Sequence, residues 1–363
     1  MLEDARAVIA RLVEVQQDDV IFTSGATESN ALAILGVVRA LRLAAGLGTP
    51  GRNNMHVLYL PSAHASIVEN MRVLEEEGIA IEPLPIKDSR VDVVALATLI
   101  RKETVLVSMD AVCGETGVVW NTREVAETLH HWKVKLSKQS ESGKLNSPVS
   151  GILLHVDASQ APLTEKISRA HFDANLITFD ASKVSAARGC GALVVHRTID
   201  IVPLYKGGGQ ERGVRPGSEA PELAQSFAAS LACAVKKRES FRVSAERARA
   251  RLIRRIIRAI PDVLVNEGRV QVPNILNLSF PGRDTDYLVA LLDEEGFAVS
   301  TRSACETDSD EGSRAVLALT SDADRARSTL RISWGPVVGA CELTRFSKAL
   351  ARAVAFVDKS NRG

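Results

Sequence analysis

Three stretches of this 363-residue chain place polar side chains where chemistry is possible. In Ile21-Phe22-Thr23-Ser24-Gly25-Ala26-Thr27-Glu28-Ser29-Asn30, an apolar strand runs into a small-residue turn and then a helix. That order gathers free backbone N–H groups, a hydroxyl and the positive end of a helix dipole at one point, which suits a phosphate. The same residues also read as a plain helix start, with Ser24 or Thr27 as its cap. In Leu153-Leu154-His155-Val156-Asp157-Ala158-Ser159-Gln160, an acid ends an apolar strand, the position where parallel α/β folds place ligands. A carboxylate there can hold a pyridine nitrogen protonated, so that the ring acts as an electron sink; taken alone, Asp157 reads first as a cap for the next helix. In Thr178-Phe179-Asp180-Ala181-Ser182-Lys183, a lysine ends another strand ahead of Arg188-Gly189-Cys190-Gly191. A lysine so placed can meet an aldehyde, and partial burial would lower its pKa and favour imine formation, whereas a lone lysine is ordinarily a solvated charge.

A fourth candidate is a thiol. Cys305 lies among Thr301, Arg302, Ser303, Glu306, Thr307, Asp308, Ser309 and Asp310, which argues for a polar loop and against a packed core. The acidic neighbours disfavour a thiolate and Arg302 favours it. Cys113, Cys190, Cys233 and Cys341 stand in apolar or glycine-rich surroundings and read as structural.

These residues need elements to hold them. Strands are expected at Val20–Thr23, His56–Pro61, Ala80–Pro85, Thr104–Ala111, Ile152–Asp157, Leu176–Asp180 and Ala192–His196, with helical patterns such as Ala31–Leu43 and Arg123–Trp132 between them. Continuous Val/Ile/Leu runs and repeated β-α alternation argue for an α/β fold, a mostly parallel seven-stranded sheet with helices on both faces. Beyond about Gly217 the pattern changes. A long helix over Glu239–Ile260, strands at Ile275–Phe280, Phe297–Ser300 and Leu330–Ser333, and helices at Asp284–Glu295 and Glu342–Asp358 form a smaller α+β module. The expected division is 1–235 for a large domain and 236–363 for a small one carrying the Cys305 loop. Ser137–Val149, rich in Ser, Lys and Asn, reads as an inserted solvated loop.

Composition narrows the partners. Lys plus Arg (45) balances Asp plus Glu (44) for a net charge of +1, so no global field gathers nucleic acid or acidic membranes. No apolar run spans a bilayer, and Met1–Arg6 does not read as a signal peptide. Five scattered cysteines without CxxC spacing argue against a disulfide framework or a metal site and fit a reducing cytoplasm.

Taken in order, Thr27, His64, Asp157, Gln160 and Lys183 resemble the cysteine desulfurase family, within the class V aminotransferase group of fold type I enzymes that use pyridoxal 5′-phosphate (PLP). The resemblance covers nearly the whole chain. It includes Phe22–Asn30, Glu115-Thr116-Gly117-Val118, His155–Gln160, Pro273–Phe280, Ser303-Ala304-Cys305, Leu330–Ser333 and, most specifically, Gly207–Gly217. It implies that Lys183 holds PLP as a Schiff base and moves the substrate Cα proton, and that His64 stacks on the ring and assists acid–base steps. Asp157 would pair with the ring nitrogen, Gln160 with the ring hydroxyl, and Thr27 with the Ala26 backbone would hold the phosphate. Arg331 would grip the substrate carboxylate, a bidentate task, with Asn277 nearby. Cys305 would take sulfur from L-cysteine as a persulfide, leaving L-alanine, and pass it to an acceptor protein for iron–sulfur assembly or tRNA thiolation. The glycine-rich segment and Ser218 would reach the partner's cofactor in a homodimer.

The chain departs from the family pattern in three places. Gly114 stands where an asparagine is usual, and Asp180-Ala181-Ser182-Lys183 replaces Ser-small-His-Lys. Asp180 would repel a phosphate if it faced one, while Ser182 offers a donor. The family's opening Asp/Asn-Ala-Thr-Thr segment and the Asn-Pro-Ser loop after it have no counterpart before Met1. Two alternatives therefore stand beside the desulfurase. One is a selenocysteine lyase or other class V enzyme; the other is a degenerate, non-catalytic dimeric homologue.

Overall fold

The structure, a computed structural model, describes residues 1–46, 55–139, 151–184, 187–301 and 312–360. It divides into two compact units. The first comprises Met1–Lys87, Val91–Val112 and Trp120–Lys236; the second comprises Asp88–Arg90, Cys113–Val119 and Lys237–Gly363. Two short stretches assigned by sequence to the large domain thus belong with the C-terminal unit.

The first unit is built on a seven-stranded sheet. Its strands are β1 (Val20–Thr23), β2 (His56–Tyr59), β3 (Ala80–Pro83), β6 (Thr104–Asp110), β7 (Leu153–Asp157), β8 (Leu176–Asp180) and β9 (Gly191–Val195), in the order β1-β9-β8-β7-β6-β2-β3. The two-residue strands β4 (Ile86–Lys87) and β5 (Arg90–Val91) pair separately. β6 and β7 are buried along their whole length, which accounts for their largely apolar character: both faces of the sheet are covered.

Five of the seven strands run parallel to their neighbours from β3 to β8, and β9 runs antiparallel to both β8 and β1. The connection from β8 to β9, Ala181–Cys190, explains the reversal, because a parallel crossover needs about a dozen residues or more. The chain must therefore turn at the carboxyl edge of the sheet, and Lys183 lies in that turn. Since β1 is antiparallel to β9, it runs parallel to β8, and Thr23 and Asp180 end on the same edge. Both pair with Gly191.

Helix boundaries lie outside those expected from sequence. The helix expected from Ala31 begins at Ala26, runs to Ala31, continues through a π-helical stretch (Leu32–Gly36) and ends as Val37–Ala44. Thr122–Gln139 extends past the expected Trp132, so the first three residues of the proposed 137–149 insertion are helical. The long helix starts at Pro221, where proline's fixed φ suits a first helical turn, and reaches Ala259, crossing from the first unit into the second.

In the second unit, β10 (Leu264–Asn266), β11 (Ile275–Ser279) and β12 (Thr329–Ser333) form an antiparallel sheet. β10 is too short to show a pattern in the sequence. The expected strand at Phe297–Ser300 reduces to a bridge between Ser300 and Arg331, because the Phe297 ring turns onto Phe346 of helix Ala340–Ser360, with centroids 5.5 Å apart. Among the described residues no helix is long and apolar enough to cross a membrane.

A buried base in β7 couples this sheet of the first unit to pH. His155 lies fully buried in β7, with Nδ1 2.8 Å from Ser108 Oγ on β6 and Nε2 3.1 Å from Thr178 Oγ1 on β8. Burial pushes its pKa down to about 4, against an opposing pull from Asp157. Because the folded pKa lies below the unfolded value, the unfolded chain binds more protons between those two values, and stability falls as pH drops from about 6.5 towards 4. Urea unfolding should show this group costing about 2 kcal/mol between pH 7 and pH 5, a difference that His155→Gln abolishes. Equal pH dependence in both proteins would contradict the assignment.

Candidate functional site

The helical turn at Ala26–Asn30 joins the residues singled out by sequence in the first unit. Its first contact is unexpected. The Ala26 N–H donates to Asp180 Oδ2 at 3.0 Å, and Asp180 Oδ1 accepts from the Ser182 N–H at 2.7 Å. The Ala26 backbone donor expected for a phosphate is thus held by a carboxylate of the chain itself, and so is the Ser182 N–H. Two glycines permit this approach. Gly25 adopts φ +151°, a conformation open to glycine, and a side chain at Gly191 would lie 2.7 Å from the Gly25 backbone. Thr27 is exposed one residue on.

One turn later, Asn30 is buried and its amide nitrogen donates to both Asp157 Oδ2 and Ser66 Oγ, each at 2.8 Å. Ser66 Oγ in turn lies 2.8 Å from His64 Nδ1, and the Ser66 N–H donates to the same ring nitrogen at 3.1 Å. Both amide protons of Asn30 are used, so Ser66 accepts from Asn30 and its own hydroxyl proton points to His64. His64 Nδ1 is therefore an acceptor, and the neutral ring carries its proton on Nε2. His64 is exposed at the start of helix Ala65–Glu76, which leaves its outer edge available.

Asp157 is buried at the end of β7. Beyond Asn30, its Oδ1 accepts from the Ser159 N–H at 2.9 Å. Each oxygen keeps lone-pair capacity for a further donor, as pairing with a protonated ring nitrogen requires. Asn30 Oδ1 is buried and has no hydrogen-bond partner among the described residues. Gln160 follows in a turn, half-buried. Lys183 closes the short 3-10 turn Ala181–Lys183 and is exposed, so the partial burial expected from sequence is not found. The helix start thus ties together His64, Asp157, Ala26 and the Lys183 turn, and Thr27 lies exposed on the same helical turn. Asn30 and Ser66, which hold them, were not singled out from sequence; their signal was a polar pair on otherwise apolar helical faces.

The glycine-rich stretch Gly207–Gly217 is anchored within the first unit. Glu211 is buried, accepts two 2.7 Å bonds from Arg6 and accepts from the Phe22 N–H at 2.8 Å. Arg215 lies 3.3 Å from Glu28, which also accepts from the Ser24 N–H at 2.6 Å and from Tyr205. Burial alone would raise the Glu28 pKa; the Ser24 and Tyr205 bonds outweigh it and hold the carboxyl below its ordinary value. Ser218 is exposed and borders a small cavity with Cys190, Glu211 and Arg215. Burial, followed by the charge of Asp180, pushes the Cys190 thiol up to about 11, so it stays protonated near neutrality.

Arg331 and Asn277 face each other across β12 and β11 in the second unit. Arg331 Nη1 donates to the Gly114 carbonyl at 3.4 Å and remains partly exposed. Asn277 is buried, accepts from Asn266 at 2.6 Å and donates to the Glu115 carbonyl at 3.2 Å. These bonds fasten the 113–119 loop to β11 and leave one N–H of the Asn277 amide for a further partner. A correction concerns the thiols. Cys113 and Cys190 are buried, but Cys233 and Cys341 are exposed on helices and are not core residues. Cys305, with Arg302 and Ser303, lies outside the described residues.

Comparison with known proteins agrees with this architecture. The model of the family described as aminotransferase class V matches residues 1–137 and 141–346. The mitosomal cysteine desulfurase of Encephalitozoon cuniculi is 32% identical over 97% of this chain and 76% of its own length. The cysteine desulfurase IscS of Rickettsia typhi is 30% identical over 92% and 75%. Among solved structures, DndA from Streptomyces lividans superposes with a TM-score of 0.73 at 29% identity, over 92% of this chain and 88% of that one. The agreement runs through both units, and the chain belongs to the cysteine desulfurases of the class V aminotransferase family.

Proposed function

We propose that this protein is a PLP-dependent cysteine desulfurase that converts L-cysteine and a Cys305 thiol into L-alanine and a Cys305 persulfide. The balance is complete: the substrate C–S bond breaks, a C–H bond forms at the same carbon, and the sulfur joins Cys305. One observation carries the reading: a buried strand-end carboxylate, Asp157, is wired through Asn30 and Ser66 to an exposed His64, on the same edge as Lys183.

The residues fit the ring and aldehyde ends of PLP. Asp157 has acceptor capacity for a ring N–H, the orphaned Asn30 Oδ1 lies beside it, and Lys183 presents an exposed amine. At the phosphate end, Thr27 and the Ala26 N–H would be the donors once Asp180 yields that N–H. When bound, PLP supplies an electron sink that withdraws charge from the substrate Cα. Asp157 would keep the ring nitrogen protonated, and Gln160 would hydrogen-bond the ring hydroxyl. Lys183 Nζ would be the amine that holds the aldehyde and the base for the substrate Cα proton. His64 would cover the ring and offer its Nε2 proton. Arg331 has a fork suited to a carboxylate, and Cys305 acts as the sulfur acceptor.

The partner reading follows the same logic. A persulfide must be passed on, so we propose an acceptor protein, with iron–sulfur assembly or tRNA thiolation downstream. We also propose a homodimer in which Ser218 meets the partner's cofactor. The exposed Cys233 and Cys341 thiols fit a reducing compartment such as the cytoplasm.

The direct assay incubates protein, PLP and L-cysteine and measures alanine and sulfide. Alanine above a Cys305→Ser control is expected; parity with that control removes the desulfurase reading. A second experiment addresses the wiring. Ser66→Ala should lower kcat/KM about tenfold, and Ser66→Thr, which keeps the hydroxyl, should restore it. Imidazole ¹⁵N shifts should show the Nε2–H form of His64 in the parent and a larger Nδ1–H share in Ser66→Ala, where only the backbone N–H still donates to Nδ1. Unchanged shifts and activity would rule out a role for Ser66.

A further inference from the structure

We propose that Asp180 is the residue that sets how the site treats the phosphate of its cofactor: its carboxylate occupies the donors a phosphate would use, so PLP binds weakly and is barely preferred over pyridoxal. The inference rests on the PLP reading above and goes beyond it.

Three observations support it. Asp180 makes a two-pronged contact, Oδ2 to the Ala26 N–H at 3.0 Å and Oδ1 to the Ser182 N–H at 2.7 Å, so both of its oxygens face this backbone. Asp180 also packs against the turn: a Cβ on Gly25 would be in van der Waals contact with Asp180 Oδ2, at 3.4 Å. Lastly, the adjoining N–H, that of Ser24, is held by Glu28 at 2.6 Å, and Glu28 is itself fixed by Arg215 and Tyr205. Carboxylates of the chain thus hold the N–H groups of Ser24, Ala26 and Ser182.

A phosphate monoester carries a charge of about −1.5 to −2 near neutrality and accepts through three oxygens. To use the Ala26 N–H it must displace Asp180 and then remain beside the displaced charge. A hydroxyl at position 180 would donate to the phosphate; a carboxylate cannot. Pyridoxal has no phosphate and makes no demand on this corner. The conflict therefore falls on PLP alone.

The test titrates the full-length protein, Asp180→Asn and Asp180→Ser with PLP and with pyridoxal, following absorbance of the lysine-bound chromophore. Both variants should bind PLP at least about tenfold more tightly than the parent, with pyridoxal affinity unchanged within about twofold. A parallel arm melts the cofactor-free proteins with and without inorganic phosphate, which should raise Tm by a few degrees in the variants and not in the parent. Equal PLP affinity in all three proteins, or equal stabilisation of all three by phosphate, overturns the proposal. If no protein forms the chromophore while phosphate still separates variants from parent, the PLP reading fails and competition at this corner stands. Chromophore formation with equal PLP affinities overturns the competition and leaves the PLP reading standing.

Discussion

The first turn of the helix at Ala26 is the fastening on which the site depends. It binds two carboxylates that end neighbouring parallel strands: Ala26 holds Asp180 of β8, and Asn30 holds Asp157 of β7. Buried or half-buried carboxylates at such an edge must find donors, since an unsatisfied charge there is costly. Here both find them on one helix, four residues apart, and Asn30 passes the constraint on to Ser66 and His64. The position of His64, the orientation of Asp157 and the shape of the Lys183 turn thus follow from how this single turn satisfies acids.

The route of the chain explains why that is geometrically possible. A short β8–β9 connection forces β9 to return antiparallel, and β1 then lies beside it, with its end on the same edge as β8. Gly191, between Thr23 and Asp180, has no side chain to keep the Gly25 turn away. The same arrangement that gathers the site also draws Asp180 onto the Ala26 N–H. Charge is concentrated as a result: Asp180 and Glu211 both help to keep Cys190 protonated, and Glu28 depends on Arg215. Glu211 lies against Arg6, an ion pair whose buried charges would be costly to separate.

Much of this was legible in the sequence. Largely apolar runs gave the central strands to within a residue or two, because burial on both faces leaves no polar alternation to misread. The acids, the lysine and the glycine-rich stretch marked the site because their order matches a known family. What the sequence could not carry was direction and pairing. Asp180 was legible as a charge, but its contact with Ala26 depends on strand register across Gly191, a long-range property. Asn30 and Ser66 looked like ordinary helical polar residues, and only the packing of two helices joins them. The motif at Asn277 suggested a ligand contact but not the bonds to Asn266 and the Glu115 carbonyl, which also depend on strand pairing. Exposure of Cys233 and Cys341 was missed because an apolar neighbourhood in sequence does not say which helical face a residue takes.

The central claim is that Lys183, at the turn created by the β8–β9 reversal, is the amine that carries the cofactor. The most direct measurement is to load the purified protein with PLP, reduce it with borohydride, digest it and locate the added mass. The label is expected on the peptide containing Lys183, with its loss in Lys183→Ala. A label on other lysines alone, or the same label in Lys183→Ala, would contradict the claim.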